Sequence, residues 1–288
     1  MNYDAKLMES AKTVGNIVCM GLDPQREALP FASGDVRVDL NAFFQQLFRR
    51  MALSGLIPAA FKPNIGYYQS LDRPREEDFS GSQALADLLD MVENFFPGIP
   101  VILDSKRGDI ARSSLNYAQE AFDCWSADAV TVAPYMGSDS VKPFTDQPEK
   151  GVYILNRTSN PGGKDLQNLV LEGGKLLYLE VASQIAAYNA KTGCVGAVVG
   201  ATNPQELKDI ATFYRDERVP LLIPGVGSQG GSAPEVMEIL RSCGYPVELA
   251  RINSSSALTH PWKKGPAPED WLEACEENLR TLIRECAV

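Results

Sequence analysis

Eight short apolar runs, each closed by a polar or Gly/Pro cluster, limit the folds open to this chain. They are residues 16–23, 59–64, 101–106, 129–134, 151–156, 196–201, 220–225 and 248–253. Each is almost continuously apolar, as a strand buried on both faces should be. Helical spacing fills the intervals. Residues 39–51 place Leu40, Phe43, Phe44, Leu47 and Phe48 on one stripe, and residues 82–96 do the same with Leu85, Leu88, Leu89, Val92 and Phe95. Residues 175–190, 204–214 and 234–243 follow the same rule, and Pro204 and Pro234 each sit where a helix begins. Strand then helix, repeated along the chain, predicts an α/β fold with parallel pairing. Eight repeats favour closure into a (β/α)8 TIM barrel; an open doubly wound sheet is the alternative. The 288 residues suit one such barrel as a single domain over 1–288, with an amphipathic N-terminal helix, residues 1–16, as an extension. Residues 72–81 and 260–268 read as surface loops.

Charge and cysteine usage narrow the partners. The net charge is −10, from 27 basic and 37 acidic side chains, which argues against nucleic acid or an anionic membrane as partner. An anionic substrate would therefore need positive charge local to its site. The six cysteines form no CxxC pair, and only one histidine, His260, is present to join them around a metal. They read as free thiols in a reducing cytoplasm. The N-terminal segment carries Asp4, Lys6, Glu9 and Lys12, unlike a secretory signal, and no run approaches the roughly 18 apolar residues of a membrane span.

In a closed barrel the chemistry sits at the carboxyl ends of the strands. Asp23 ends the first run and Lys62 and Asn64 the second; Asp104 and Lys106 end the third, with Asp109 just beyond. Asp104 and Lys106, two apart on a strand, are expected on one face. Lys62 would add a second ammonium from the next strand. Opposite charges at an apolar barrel mouth are costly unless paired. Interleaved, they would keep each other ionised. Such a set serves either catalysis or a structural ion network at the rim. The seventh run leads into residues 225–231 (GVGSQGG), whose backbone N–H groups are placed to cradle a phosphate. Residues 159–163 read as a lid, a base-recognition loop or a plain turn. His260 reads as a surface or packing residue.

These residues carry a resemblance. FKPN (61–64), DSKRGDI (104–110), TVAPYMG (131–137), RTSNPGG (157–163) and PGVGSQGG (224–231) occur in the order seen in orotidine 5′-phosphate decarboxylases. The sequence resembles the longer bacterial type of that family, type 2, from residue 21 to residue 256. The resemblance implies decarboxylation of orotidine 5′-monophosphate to UMP and CO2, the last step of de novo UMP synthesis, with no cofactor and no metal. It implies Lys106 as proton donor to C6, Asp104 beside the departing carboxylate, and Lys62 completing the array and touching the ribose. Asp109 and Ile110 would reach a partner's site, making a homodimer with shared active sites. Asp23 and Asn64 would serve the ribose, and Ser159 and Pro161 the pyrimidine. Gln229 with Gly225, Gly227 and Gly230 would hold the phosphate.

The chain departs from the pattern at one position. The family's phosphate-gripping arginine falls at Ser256 in this sequence. Arg251, another group, or hydroxyls with backbone would have to replace it. Two other functions compete. Sugar-phosphate enzymes of the same superfamily share DxKxxD but hold Mg2+ with a glutamate on the second strand, where Lys62 stands here. A non-catalytic phosphate-ligand sensor on the same scaffold is the second.

Overall fold

The computed structural model describes residues 1–30, 32–227, 229–262 and 265–288. Ser228, in the glycine-rich loop, and Lys263 and Lys264, in the 260–268 loop, lie outside the described residues, as does Phe31. The strands are β1 (Val18–Gly21), β2 (Ala60–Lys62), β3 (Ile102–Arg107), β4 (Ala129–Val132), β5 (Gly151–Arg157), β6 (Val195–Val199), β7 (Leu221–Ile223) and β8 (Ala250–Ser254). They pair in parallel in the order β2-β1-β8-β7-β6-β5-β4-β3. Each overlaps one of the eight apolar runs. Between β2 and β3 the barrel is joined only by isolated bridges, Phe61 to Val101 and Asn64 to Asp104. Two amide bonds tie that seam, Phe61 N–H to Pro100 O at 3.0 Å and Asp104 N–H to Pro63 O at 2.9 Å. The architecture is a (β/α)8 TIM barrel.

Local chemistry sets the helix starts. Asn2, Asp35, Asn64 and Ser232 each accept a first-turn amide through the side chain, satisfying a donor the helix cannot. The helix Val36–Leu53 buries the whole stripe expected of it, and Ser80–Phe95 buries Leu85, Leu88 and Val92 with Leu89 and Phe95 partly covered; Phe43, Phe44, Phe48, Phe61 and Phe96 pack in one core. Two of the longer helices have no counterpart among the stripes read from the sequence. Ala111–Gln119 is polar and buries only Ser114 and Ala118, so it leaves little trace in a hydrophobic pattern. Trp271–Glu285 does carry a stripe, Trp271, Cys275, Leu279 and Leu282, but it follows the last strand and adds no repeat.

The amino end of the barrel is closed by the N-terminal helix Tyr3–Val14. A side chain at Gly151 would lie 2.3 Å from the Tyr3 ring, so that glycine makes room for the plug. Arg251 belongs here too, which corrects its candidacy for the phosphate. It is second in β8, points to the base, and is fully buried. Its guanidinium donates to Leu7 O and Ser10 Oγ (both 2.6 Å), to Ala250 O (2.7 Å), to Glu248 O (3.1 Å) and to Ala59 O (3.3 Å). No donor is left for a ligand, and the strand ends lie on the opposite face. Truncating it would orphan several buried acceptors. Arg251→Ala should lower unfolding free energy by on the order of 3 kcal/mol in urea titrations, with KM for the substrate unchanged.

Candidate active site

At the carboxyl ends of the strands lies a cavity of about 780 Å³, lined from β1 round to β8 and its following turn. The Asp104 carboxylate organises it. Lys62 Nζ approaches one oxygen at 2.7 Å, and Lys106 Nζ the other at 2.6 Å. Lys62 and Asp104 are only 4% and 7% exposed, while the Lys106 side chain is half-exposed toward the cavity. Burial alone would raise the Asp104 carboxyl, but the two ammonium groups outweigh it and hold it below the usual carboxylate range. Burial likewise opposes the charge on Lys62, and Asp104 and Asp23 outweigh that, raising its pKa above the ordinary lysine value. The buried Asp104–Lys62 pair is therefore charged throughout the neutral range.

The face shared by Asp104 and Lys106 has a different origin from simple strand alternation. Lys106 adopts φ +46°, a left-handed conformation rare for a side-chain-bearing residue, and the β3–β4 register shifts between Leu103 and Arg107. Thr131 of β4 stabilises this bulge. Its Oγ1 accepts the amides of Ser105 (3.1 Å) and Lys106 (2.9 Å) and donates to Asp104 Oδ1 at 2.8 Å. One hydroxyl thus fixes both the strained backbone and the carboxylate, as strain at a functional site requires. Nothing about Thr131 marks it in the sequence except its place at the head of the TVAPYMG run.

The segment after β5 is built as firmly. Arg157 is buried and donates to Thr158 O (2.9 Å) and to Asn203 Oδ1 (2.9 Å). Gln167 Oε1 accepts the Thr158 amide at 2.9 Å, and Thr202 Oγ1 donates to Ser159 O at 2.8 Å. Ser159 passes so close to β6 that a side chain at Gly200 would lie 2.6 Å from its Cα. Ser159, Asn160, Gly162 and Gly163 line the cavity, and Pro161 begins a short 3-10 turn beside them without lining it. Across the mouth, Asp23 accepts the Asn64 amide at 3.1 Å, and Asp23, Asn64 and Tyr67 form one wall.

The glycine-rich loop contributes Gly225, Val226 and Gln229 to the lining. Gly227 and Gly230 do not line the cavity. The Gly227 amide donates to Gly231 O at 3.1 Å and the Gly230 amide to Gly227 O at 3.0 Å. Both have positive φ, so they shape the turn rather than offer its N–H groups, a correction to their expected part in the cradle. Asp109 and Ile110 lie outside the cavity of their own chain; Asp109 Oδ1 accepts the Ile110 amide at 2.6 Å. Asn253 of β8 and, after that strand, Ser255, Ser256 and His260 line the cavity. His260 is only 4% exposed, so of its two readings, surface or packing, the buried one holds, and the residue also lines the cavity.

Fold and site define a barrel enzyme with a charged array at its strand ends. The sequence profile of the Orotidine 5'-phosphate decarboxylase / HUMPS family matches residues 17–239. The orotidine 5'-phosphate decarboxylase of Cupriavidus taiwanensis is 39% identical over 260 residues, 90% of either chain. That of Variovorax paradoxus is 36% identical over 284 residues, 98% of this chain and 96% of its own. Among solved structures, Leishmania donovani OMP decarboxylase aligns with TM-score 0.75 at 30% identity, covering 99% of this chain and 98% of that one. Leishmania donovani UMP synthase aligns with TM-score 0.76 at 32% identity, with 98% of this chain spanning 56% of that longer one. The chain belongs to the orotidine 5′-phosphate decarboxylase / HUMPS family.

Thr131→Val, which keeps the shape and removes the hydroxyl, should lower kcat by roughly tenfold or more, because about an ångström of misplacement at Lys106 is enough. Thr131→Ser should restore most of it in the same steady-state assay.

Proposed function

We propose that this protein converts orotidine 5′-monophosphate to UMP and CO2, without metal or cofactor, as the last step of de novo UMP synthesis. The observation that carries this reading is one carboxylate, the buried Asp104, shared between two ammonium groups at the mouth of a barrel of this family. Loss of CO2 leaves an electron pair at C6 that the pyrimidine ring delocalises poorly. Lys106 stands by to stabilise that charge and then to form the C6–H bond with one of its protons. Asp104 lies beside the departing carboxylate. Its two ammonium neighbours keep it ionised, so it does not compete for the proton. Lys62 completes the array and reaches the ribose, with Asp23 and Asn64 on the same wall. Ser159, fixed by its backbone, reads the pyrimidine edge. Gln229 and Gly225 serve the phosphate, whose binding energy is applied far from C6.

The sugar-phosphate reading is disfavoured by the same geometry. A divalent cation needs free oxygen ligands. Both Asp104 oxygens are engaged by ammonium groups, and Lys62 occupies the strand-two position. The sensor reading is disfavoured because a binder gains nothing from a proton donor held in a strained conformation.

A homodimer with shared sites fits the loops after β3 and β4. Ile110, Tyr135 (83% exposed) and Met136 form an exposed apolar group there, next to Asp109, which faces away from its own cavity. A second copy would cover that surface and receive Asp109. A cytosolic location fits the six free cysteines. Among the described residues no helix is long and apolar enough to cross a membrane.

Metal-free protein should consume orotidine phosphate, followed by the change in ultraviolet absorbance, and EDTA should leave the rate unchanged. Lys106→Ala should lose at least about 10³-fold in kcat while binding UMP within about tenfold of the parent. A full rate in that variant removes Lys106 from the chemistry. Shared sites make a separate expectation. Mixing inactive Lys106→Ala with inactive Asp109→Ala, after dissociation and reassociation, should restore activity, because one site in each mixed dimer is then intact.

A further inference from the structure

A nucleotide phosphate is a dianion at neutral pH, with a second pKa near about 6, and binds best against fixed positive charge. The cavity's four charged array and wall groups, Lys62, Lys106, Asp23 and Asp104, cancel one another. Both lysines are also engaged with Asp104. The family's arginine position holds Ser256, and Arg251 is committed to the barrel base. Among the described lining residues, one further side chain can carry positive charge, and it is His260.

His260 lines the cavity with Ser255 and Ser256 in the turn after β8, and the loops after the seventh and eighth strands are where barrels often hold a phosphate. Its amide donates to Ser256 O at 2.9 Å, so the ring is tied to the turn that holds Ser255 and Ser256. Its Nδ1 lies 2.9 Å from Thr259 Oγ1. The same hydroxyl reaches Ser255 O at 3.2 Å, and with its proton directed there it accepts from an Nδ1–H, the tautomer taken for the neutral ring here. In the neutral ring Nε2 is then a bare acceptor. It is buried and has no hydrogen-bond partner. A phosphate oxygen is also an acceptor, so it can pair with Nε2 only after Nε2 gains a proton.

We propose that His260, as imidazolium, is the phosphate-binding cation of this site, in place of the guanidinium that the chain lacks at Ser256. The inference rests on the decarboxylase reading. It gives the enzyme a proton-linked affinity for its nucleotide. In the empty site burial holds the imidazole below its ordinary pKa, against the opposing pull of Asp23 after β1 and Glu27 of the 3-10 turn Arg26–Ala28. Thr259 and the neighbouring Trp262 ring, 6.4 Å away, bring no charge to it, and the Cys275 thiol beyond Thr259 O is pushed up to about 12 and stays neutral. The free enzyme is therefore largely neutral at His260 near neutrality, and phosphate binding takes up a proton. KM should rise with pH by up to tenfold per unit between the free and bound pKa values, above about pH 7, where the phosphate is already dianionic.

The chain contains a single histidine, so its imidazole gives one unambiguous set of NMR signals. The test is a pH titration of those signals in the parent protein, alone, with saturating UMP, and with saturating uridine, which lacks only the phosphate. The expected result is a pKa raised by more than one unit by UMP and left near the free value by uridine. Equal values with the two ligands overturn the proposal. In kinetics, His260→Gln should raise KM for orotidine phosphate by tenfold or more near pH 7 and abolish its pH dependence, with kcat changed far less. Ser256→Arg in the His260→Gln background should recover the low KM and leave it independent of pH. Unchanged KM in His260→Gln also overturns the proposal. Failure of the parent protein to turn over orotidine phosphate would instead sink the decarboxylase reading, so the two failures are distinct.

Discussion

One carboxylate divided between two ammonium groups sets the terms for everything at the open end of this barrel. Asp104 sits in a place where an isolated charge would be too costly to keep. It is stable because each oxygen has its own lysine and a third bond comes from Thr131. Removing either lysine would leave one oxygen of the buried Asp104 carboxylate without its ammonium partner. The strands that carry the three groups are therefore held in register by electrostatics as well as by the backbone ladder. The array is fully formed before any substrate arrives, which is what preorganisation demands, since no reorientation is then left for the moment of reaction.

The two ends of the barrel divide the labour differently. The amino end is a closed plug bound by hydrogen bonds: Tyr3, Leu7 and Ser10 from the N-terminal helix meet Arg251, Tyr153 and Ala59. The carboxyl end keeps polar atoms without partners, among them His260 Nε2 and Asn253 Oδ1, both on residues that line the cavity. Buried polar groups left unmatched in the wall of a cavity are where a ligand can supply the missing partner.

Much of the barrel was legible in the sequence, because strands buried on both faces leave nearly unbroken apolar runs. The charged array was legible as well, since Lys62, Asp104 and Lys106 fall just where those runs end. What escaped the sequence depends on three-dimensional neighbours. The turn of Lys106 into left-handed geometry is set by Thr131 on another strand, and no local pattern encodes it. Arg251 looked like a site residue because it is a charged group on the last strand; only its position near that strand's beginning, against the N-terminal helix, sends it to the base. His260 looked peripheral because it follows the strand series and precedes a Pro-Trp pair, yet the short helical turn Ser256–Thr259 swings it back under the mouth. Gly227 and Gly230 matched a cradle by composition, but their amides close the turn on itself.

The seam between β2 and β3 gives the array a second office. Those neighbours share only isolated bridges, one of them Asn64 to Asp104, and the Lys62–Asp104 ion pair crosses the same gap. The reactive cluster is thus also the clasp of the barrel. Transient loosening of the wall there would part the charges before disturbing any other strand. Chemistry and mechanical closure cannot be tuned independently, and an organism that alters one inherits a change in the other.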